Sequence, residues 1–136
     1  MKILDIGCGR NKYKSITKGD VVISLDRVKL HRVDIVHDLE KFSLPFRDNE
    51  FDKVIAFHVL EHIKNFIPLM AELHRIMKAG AILEIKVPFY SAQVCNIMIQ
   101  RIKDFSPFLP LITLVKVHLP TKLMEVEYNS KLKKEK

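Results

Sequence analysis

Apolar residues come in short blocks along the first ninety positions, and each block stops at a glycine or an acid. Residues 2–7 (KILDIG) form an apolar run closed by glycine, the pattern of a buried strand entering a tight loop. The next segment, CGRNKYKSITKGD, has room for only about two helical turns, and VVISLD at 21–26 then repeats an apolar run ending in Asp. RVDIVHD at 32–38 does the same, and FDKVIAF at 51–57 makes a fourth strand leading into HVLEH. Between Asn65 and Met77, Ile67, Met70, Leu73 or His74, and Met77 recur at helical spacing. Asn65 is placed as N-cap, Pro68 falls in the tolerant first turn, and Gly80 is expected to close the helix in the left-handed conformation. AILEIKVPF at 81–89 reads as a fifth strand. Strands alternating with helices imply parallel pairing through right-handed crossovers, hence an α/β layered sheet that binds ligands beyond the carboxyl ends of its strands.

Past residue 90 the pattern thins. SAQVCNIMIQRIKDF can be written as an amphipathic helix (Val94, Ile97, Met98, Ile102, Phe105), and KLMEVEY at 122–128 alternates as a strand does. With 136 residues, 48% of them hydrophobic, residues 1–130 read as one domain, followed by a basic tail, 131–136. The 23 Lys and Arg exceed the 16 Asp and Glu by seven, and KLKKEK at the end supplies a good part of that excess, most simply as a solvated terminus. Cys8 and Cys95 make no disulfide framework, so a reducing, cytoplasmic setting is expected. MKILDIG has no signal-peptide pattern, and the apolar stretch 107–120 is interrupted by Pro107, Pro110, Lys116 and Pro120, so no membrane span is expected.

The candidate chemistry lies at the strand ends. Gly7-Cys8-Gly9 after the first strand lets the backbone turn sharply and approach a ligand. A dinucleotide loop would want a third glycine where Lys12 stands, which disfavours nicotinamide cofactors. Asp5 would repel a pyrophosphate and attract a ligand bearing ammonium and sulfonium charges, as S-adenosylmethionine does. Asp26, ending the second strand, can accept hydrogen bonds from both hydroxyls of a ribose, and Asp38 with the amide of Leu39 can hold an adenine edge. Each acid taken alone is equally at home as a cap or a solvated loop end.

In KILDIGCGRNKY, ISLD, DIVHDLEKFSLPFRDNEFDKVIAFHVLEHI and ELHRIMKAGAILEIKVP, spread over residues 2–88, the chain resembles the class I S-adenosylmethionine-dependent methyltransferases, particularly the small methyltransferase domain 11 type. The resemblance implies a Rossmann-like, mostly parallel sheet with flanking helices in three layers, and S-adenosyl-L-methionine as cofactor. It implies that Gly7 and Gly9 underlie the methionine part, that Asp5 orients the loop and the ammonium group, that Asp26 holds the ribose and that Asp38 with Leu39 holds adenine. Phe57 and His58 would lie beside the cofactor, with His58 the one candidate base. Two departures stand out. Met1 lies one residue ahead of the first strand, so the helix that precedes it in the family is expected to be absent and the site to be open. After VPFYS the acceptor-binding insertion is short, which leaves residues 91–120 to cover the site differently or to pair with a second subunit.

His58, Glu61 and His62 also fit H-x-x-E-H, the pattern of inverted zinc peptidases. By resemblance HVLEH binds no metal; Glu61 and His62 are expected instead to fix the loop and the start of the next helix by hydrogen bonds. The expected function is methyl transfer to an unidentified acceptor, a small molecule or an RNA. A non-catalytic cofactor-binding module is the alternative. Arg10, Lys12, Lys14 and Lys18 around Tyr13 raise a third reading, nucleic-acid binding, against which stands an ordinary solvated face.

Overall fold

The computed structural model describes residues 1–86, Gln100, and the strands at 114–118 and 123–126. Its elements are β1 (Lys2–Ile6), β2 (Val21–Asp26), β3 (Ile35–Val36), β4 (Phe51–Phe57), a 3-10 turn (Leu60–His62), α1 (Phe66–Ile76), β5 (Met77–Lys86), β6 (Leu114–His118) and β7 (Leu123–Val126). The strands form one sheet in the order β3-β2-β1-β4-β5-β6-β7. All neighbours run parallel except β6 and β7. The chain steps outward from β1 to β3 and then jumps back past β1 to β4, so the order reverses between β1 and β4, where such sheets place their ligands.

The core is built on one face of the sheet. Leu4, Ile6, Leu25, Val54, Ala56, Leu83 and Ile85 pack against Phe66, Leu69, Met70, Leu73 and Ile76 of α1. Burying each of the larger side chains contributes roughly 1.5–3 kcal/mol, and because Ile3 and Ile55 are buried as well, β1 and β4 read as near-continuous apolar runs, as strands of a parallel sheet do. Leu39, Leu44, Leu60 and Ile63 from the loops close the same cluster, so the loops around the strand ends are anchored in the core.

Several expectations change in detail. The segment between β1 and β2 is a series of turns without a helix. Its chain is held by a buried carboxylate instead: Asp5 accepts the Tyr13 amide at 2.7 Å. The third strand shrinks to two residues, and just ahead of it the exposed carboxylate of Asp34 takes the Ser24 amide at 2.9 Å and Lys12 Nζ at 2.6 Å. Gly80 does not cap α1. The helix ends at Ile76, and Gly80, at φ +81°, lies where the two-residue step from Phe51 to Lys53 faces the five-residue step from Met77 to Ile82. Ile67, assigned to the apolar face, is 53% exposed, and Phe66, Leu69 and Ile76 form that face with Met70 and Leu73. The KLMEVEY strand is present as β7, while the amphipathic helix around 91–105, save Gln100, and the basic tail lie outside the described residues.

Candidate functional site

Asp5, the last residue but one of β1, is 3% exposed, and burial pushes its carboxyl up to about 6. The Tyr13 amide and Lys12 oppose that shift, and the negative charge of Asp26 adds to it. One residue past β1 the chain turns at Gly7, φ +61°, whose amide donates to Leu25 O at 2.8 Å. A Cβ there would sit 2.8 Å from Val59 Cβ, so the residue must be glycine for space as well as for backbone conformation. Gly9, φ +56°, has open space around it and donates its amide to Asp26 Oδ2 at 2.9 Å.

Asp26, at the tip of β2, therefore buckles two loops together: Oδ2 takes Gly9 N and Oδ1 takes Val28 N at 3.0 Å. Each oxygen retains a lone-pair direction for a further donor. Asp38 Oδ1 accepts the Glu40 amide at 2.9 Å, an Asx-type turn that presents Leu39 between them. His37 Nε2 donates to Lys41 O at 2.8 Å, which places the proton on that nitrogen.

These loops enclose a cavity of about 410 Å³. Of the residues singled out in the sequence as cofactor-binding, Gly7, Asp26, Asp38 and Leu39 line it. Asp5 and Gly9 do not line it; Gly9 is tied to Asp26 of the lining and Asp5 to the Tyr13 amide by the bonds just given. Cys8 is buried, its thiol donating to Gly9 O, and burial together with Asp5 and Asp26 pushes it up to about 11, so it stays an inert thiol. Phe57 and His58 do not line the cavity. Phe57 meets Tyr13 edge-on with centroids 6.2 Å apart, and Lys86 Nζ lies 4.2 Å from its ring centre. His58 is exposed, left-handed at φ +56°, and donates its amide to Lys86 O.

Arg27, His37, Glu40, Val59, His62 and Ile63 complete the lining. Glu40 carried the clearest overlooked role. Its Oε1 accepts the amides of Lys64 at 2.7 Å and Asn65 at 3.2 Å, tying the β3–β4 loop to the entry of α1. Asn65 makes no side-chain cap, and Glu61 accepts no hydrogen bond from the described residues, so the helix start is fixed by Glu40 rather than Glu61. His62 does fix the turn, through its amide to Val59 O at 3.1 Å. The only advance sign of Glu40 was an acid two residues beyond Asp38, a signal shared by any polar loop.

The zinc pattern fails geometrically. H-x-x-E-H requires both histidines on one helix face, whereas His58 precedes a 3-10 turn in the left-handed region and His62 ends it. Among the described residues no three His, Cys, Asp or Glu are grouped to hold a metal. No described helix is long and apolar enough to cross a membrane.

Residues 4–85 match a protein family described as Methyltransferase domain. An uncharacterized protein of Methanocaldococcus jannaschii is 37% identical over 83 residues, 56% of this chain and 36% of that protein. A tRNA (carboxymethyluridine(34)-5-O)-methyltransferase of Xenopus tropicalis is 32% identical over 88 residues, 57% of this chain and 14% of that protein. The chain thus spans well under half the length of these relatives. In shape it is similar to the crystal structure of a provisionally assigned S-adenosyl-L-methionine-dependent methyltransferase of Methanococcus maripaludis. The TM-score is 0.50 at 19% identity, covering 79% of this chain and 58% of the other. That likeness concerns the fold.

Proposed function

The chain belongs to the methyltransferase domain family, and from that premise we propose that it binds S-adenosyl-L-methionine in the cavity at the ends of β1, β2 and β4 and transfers its methyl group to an acceptor. The observation that carries this reading is the convergence of Gly7, Asp26, Asp38 and Leu39 on one cavity of about 410 Å³. The donor set fits. Asp26 keeps acceptor capacity for ribose hydroxyls, Asp38 Oδ2 is uncommitted among the described residues, and Leu39 and Val59 offer apolar surface to a ring.

When bound, the cofactor supplies a methyl group on a sulfonium whose departing sulfur keeps the bonding electrons. The chain's own work is then to orient and to exclude water, since alignment of acceptor, methyl and sulfur supplies most of the rate enhancement. Buried Asp5 favours a cationic ligand nearby, because a positive charge relieves the cost of its own ionisation. The acceptor's proton leaves to solvent or to a base. His58 serves that role only for an acceptor reaching the end of β4, and unchanged turnover in His58→Ala would remove it.

The name of the Xenopus relative supports an RNA acceptor, with a small molecule as the other class. Calorimetric titration with S-adenosylhomocysteine tests the binding step. Micromolar affinity is expected, weakened about tenfold or more in Asp26→Ala, which removes one or two charge-assisted hydrogen bonds. No heat with S-adenosylhomocysteine would overturn the reading. Binding without labelled-methyl transfer to any cell-extract fraction would leave a cofactor-binding module.

A further inference from the structure

Beside the cofactor cavity lies a second, more open cleft of about 570 Å³, lined by Arg27, Val28, Val36, His37, Asp38 and Lys41. It shares Arg27, His37 and Asp38 with the first, so the two adjoin. Its floor is apolar, with Val28 and Val36 each 51% exposed, and its rim is basic.

The charges of this region sort by sign. The acids each have a partner within the protein: Asp26 two backbone amides, Asp34 Lys12 and the Ser24 amide, Asp38 the Glu40 amide at one oxygen, and Glu40 the amides of Lys64 and Asn65. The cations do not. Arg10, Arg27, Lys29, Arg32 and Lys41, carried on three successive loops, are exposed, and none has a side-chain hydrogen bond or ion pair with a described residue. The opposite end of the sheet looks different, since there Asp20, Glu50, Asp52 and Asp48 each meet a cation (the amino terminus, Lys2, Lys78 and Arg75). Arg27 and Lys41 line the cleft itself, and the five cations of these loops outnumber the carboxylates of Asp26, Asp38 and Glu40, whose amide partners leave their charge in place.

We propose that this basic cleft docks the sugar–phosphate backbone of a single-stranded nucleic acid, the acceptor class for the methyl transfer inferred above, on which this inference rests. Separated cations on three loops match the repeat of phosphates along a strand better than one compact anion. Phe42, 42% exposed and next to Lys41, adds an aromatic surface on which a base can stack. A cleft of this size opens to a strand rather than a duplex, and a flexible strand can deliver a base into the adjoining cavity. An anionic bilayer would satisfy the same charges, but a flat surface has no means of following a cleft.

The test is fluorescence anisotropy with a labelled 12-nucleotide RNA of mixed sequence at rising salt, with S-adenosylhomocysteine present. Affinity is expected to fall steeply, log K against log salt having a slope of about −0.7 for each phosphate held. In the double variant Lys29→Glu, Lys41→Glu the affinity should drop at least tenfold and the slope should flatten. Titration of the same variant with S-adenosylhomocysteine should match the parent, because neither residue lines the cofactor cavity. Absent or salt-insensitive RNA binding overturns the inference, as does equal RNA binding by parent and variant. Stronger retention on phosphatidylserine vesicles than on RNA would assign the cleft to a membrane surface and overturn it likewise. Failure of S-adenosylhomocysteine to bind the parent removes the underlying reading instead, so the two failures are distinguishable.

Discussion

Gly7 and Gly9 stand two residues apart, both in the left-handed region, yet they answer to different constraints. At Gly9 an added Cβ meets nothing within 4 Å, so Gly9→Ala costs only backbone strain, about 1–2 kcal/mol. At Gly7 the same methyl also collides with Val59, which lines the cavity. Gly7→Ala should therefore cost a further ~1–3 kcal/mol in urea unfolding and weaken S-adenosylhomocysteine as well. Equal losses at both positions would mean that Val59 moves aside freely. Asp5 makes a pH-dependent case. Its folded pKa, about 6, lies above the ordinary value of 3.8, so its contribution favours the folded state at low pH and is lost as pH rises from about 4 through 6. Asp5→Asn should flatten this part of the stability profile. A cationic ligand lowers the carboxyl again, so titration at pH 6 in two buffers of different ionisation heat should register release of up to about half a proton per chain. Buffer-independent heats would separate Asp5 from the ligand charge.

At the scale of elements, loops hold the helix in place. Arg75, in the last turn of α1, donates to Glu72, to Asp48 Oδ1 at 2.8 Å, and to the carbonyls of Leu44 and Phe46, while Glu72 takes the Leu44 amide. Residues 44–48 are thus strapped across the helix C-terminus. At the other end, Glu40 receives the amides of Lys64 and Asn65. Glu40→Ala should destabilise by ~1–2 kcal/mol and weaken ligand binding, whereas Glu40→Gln, which keeps an acceptor oxygen, should recover most of both. No recovery in the glutamine variant would assign the effect to charge near the helix start. Strands β1, β2 and β4 were readable to within a residue because a strand buried in a parallel sheet is a short apolar run that stops where the chain leaves the core. The end of α1 was not, because the glycine that suggested a cap serves an irregular turn of strand pairing set by β4.

For the whole molecule, the parallel order puts the C-terminal tips of β1, β2 and β4 side by side, which makes one cavity out of residues far apart in the chain. A ligand that bridges several loops stabilises all of them together. Saturating S-adenosylhomocysteine at about 100 times its Kd should add ~2.7 kcal/mol and raise Tm on the order of 10 °C. The shift, rather than Tm itself, is the readout, and its absence in the parent would contradict ligand binding at this site.

The sequence by itself determined the α/β alternation, the glycine turn and the acids closing successive strands, because local periodicity and backbone conformation depend on neighbours a few residues away. Only the tertiary structure decided which of those residues share a wall. Asp26, Asp38 and Leu39 face one cavity with Gly7, while Phe57 and His58, next to it in the pattern, lie outside its lining. It also decided that Glu40, Val59 and His62 belong there and that Arg27 and Lys41 line the adjoining cleft, since such placement follows from strand order and loop anchoring, contacts made across the chain rather than along it.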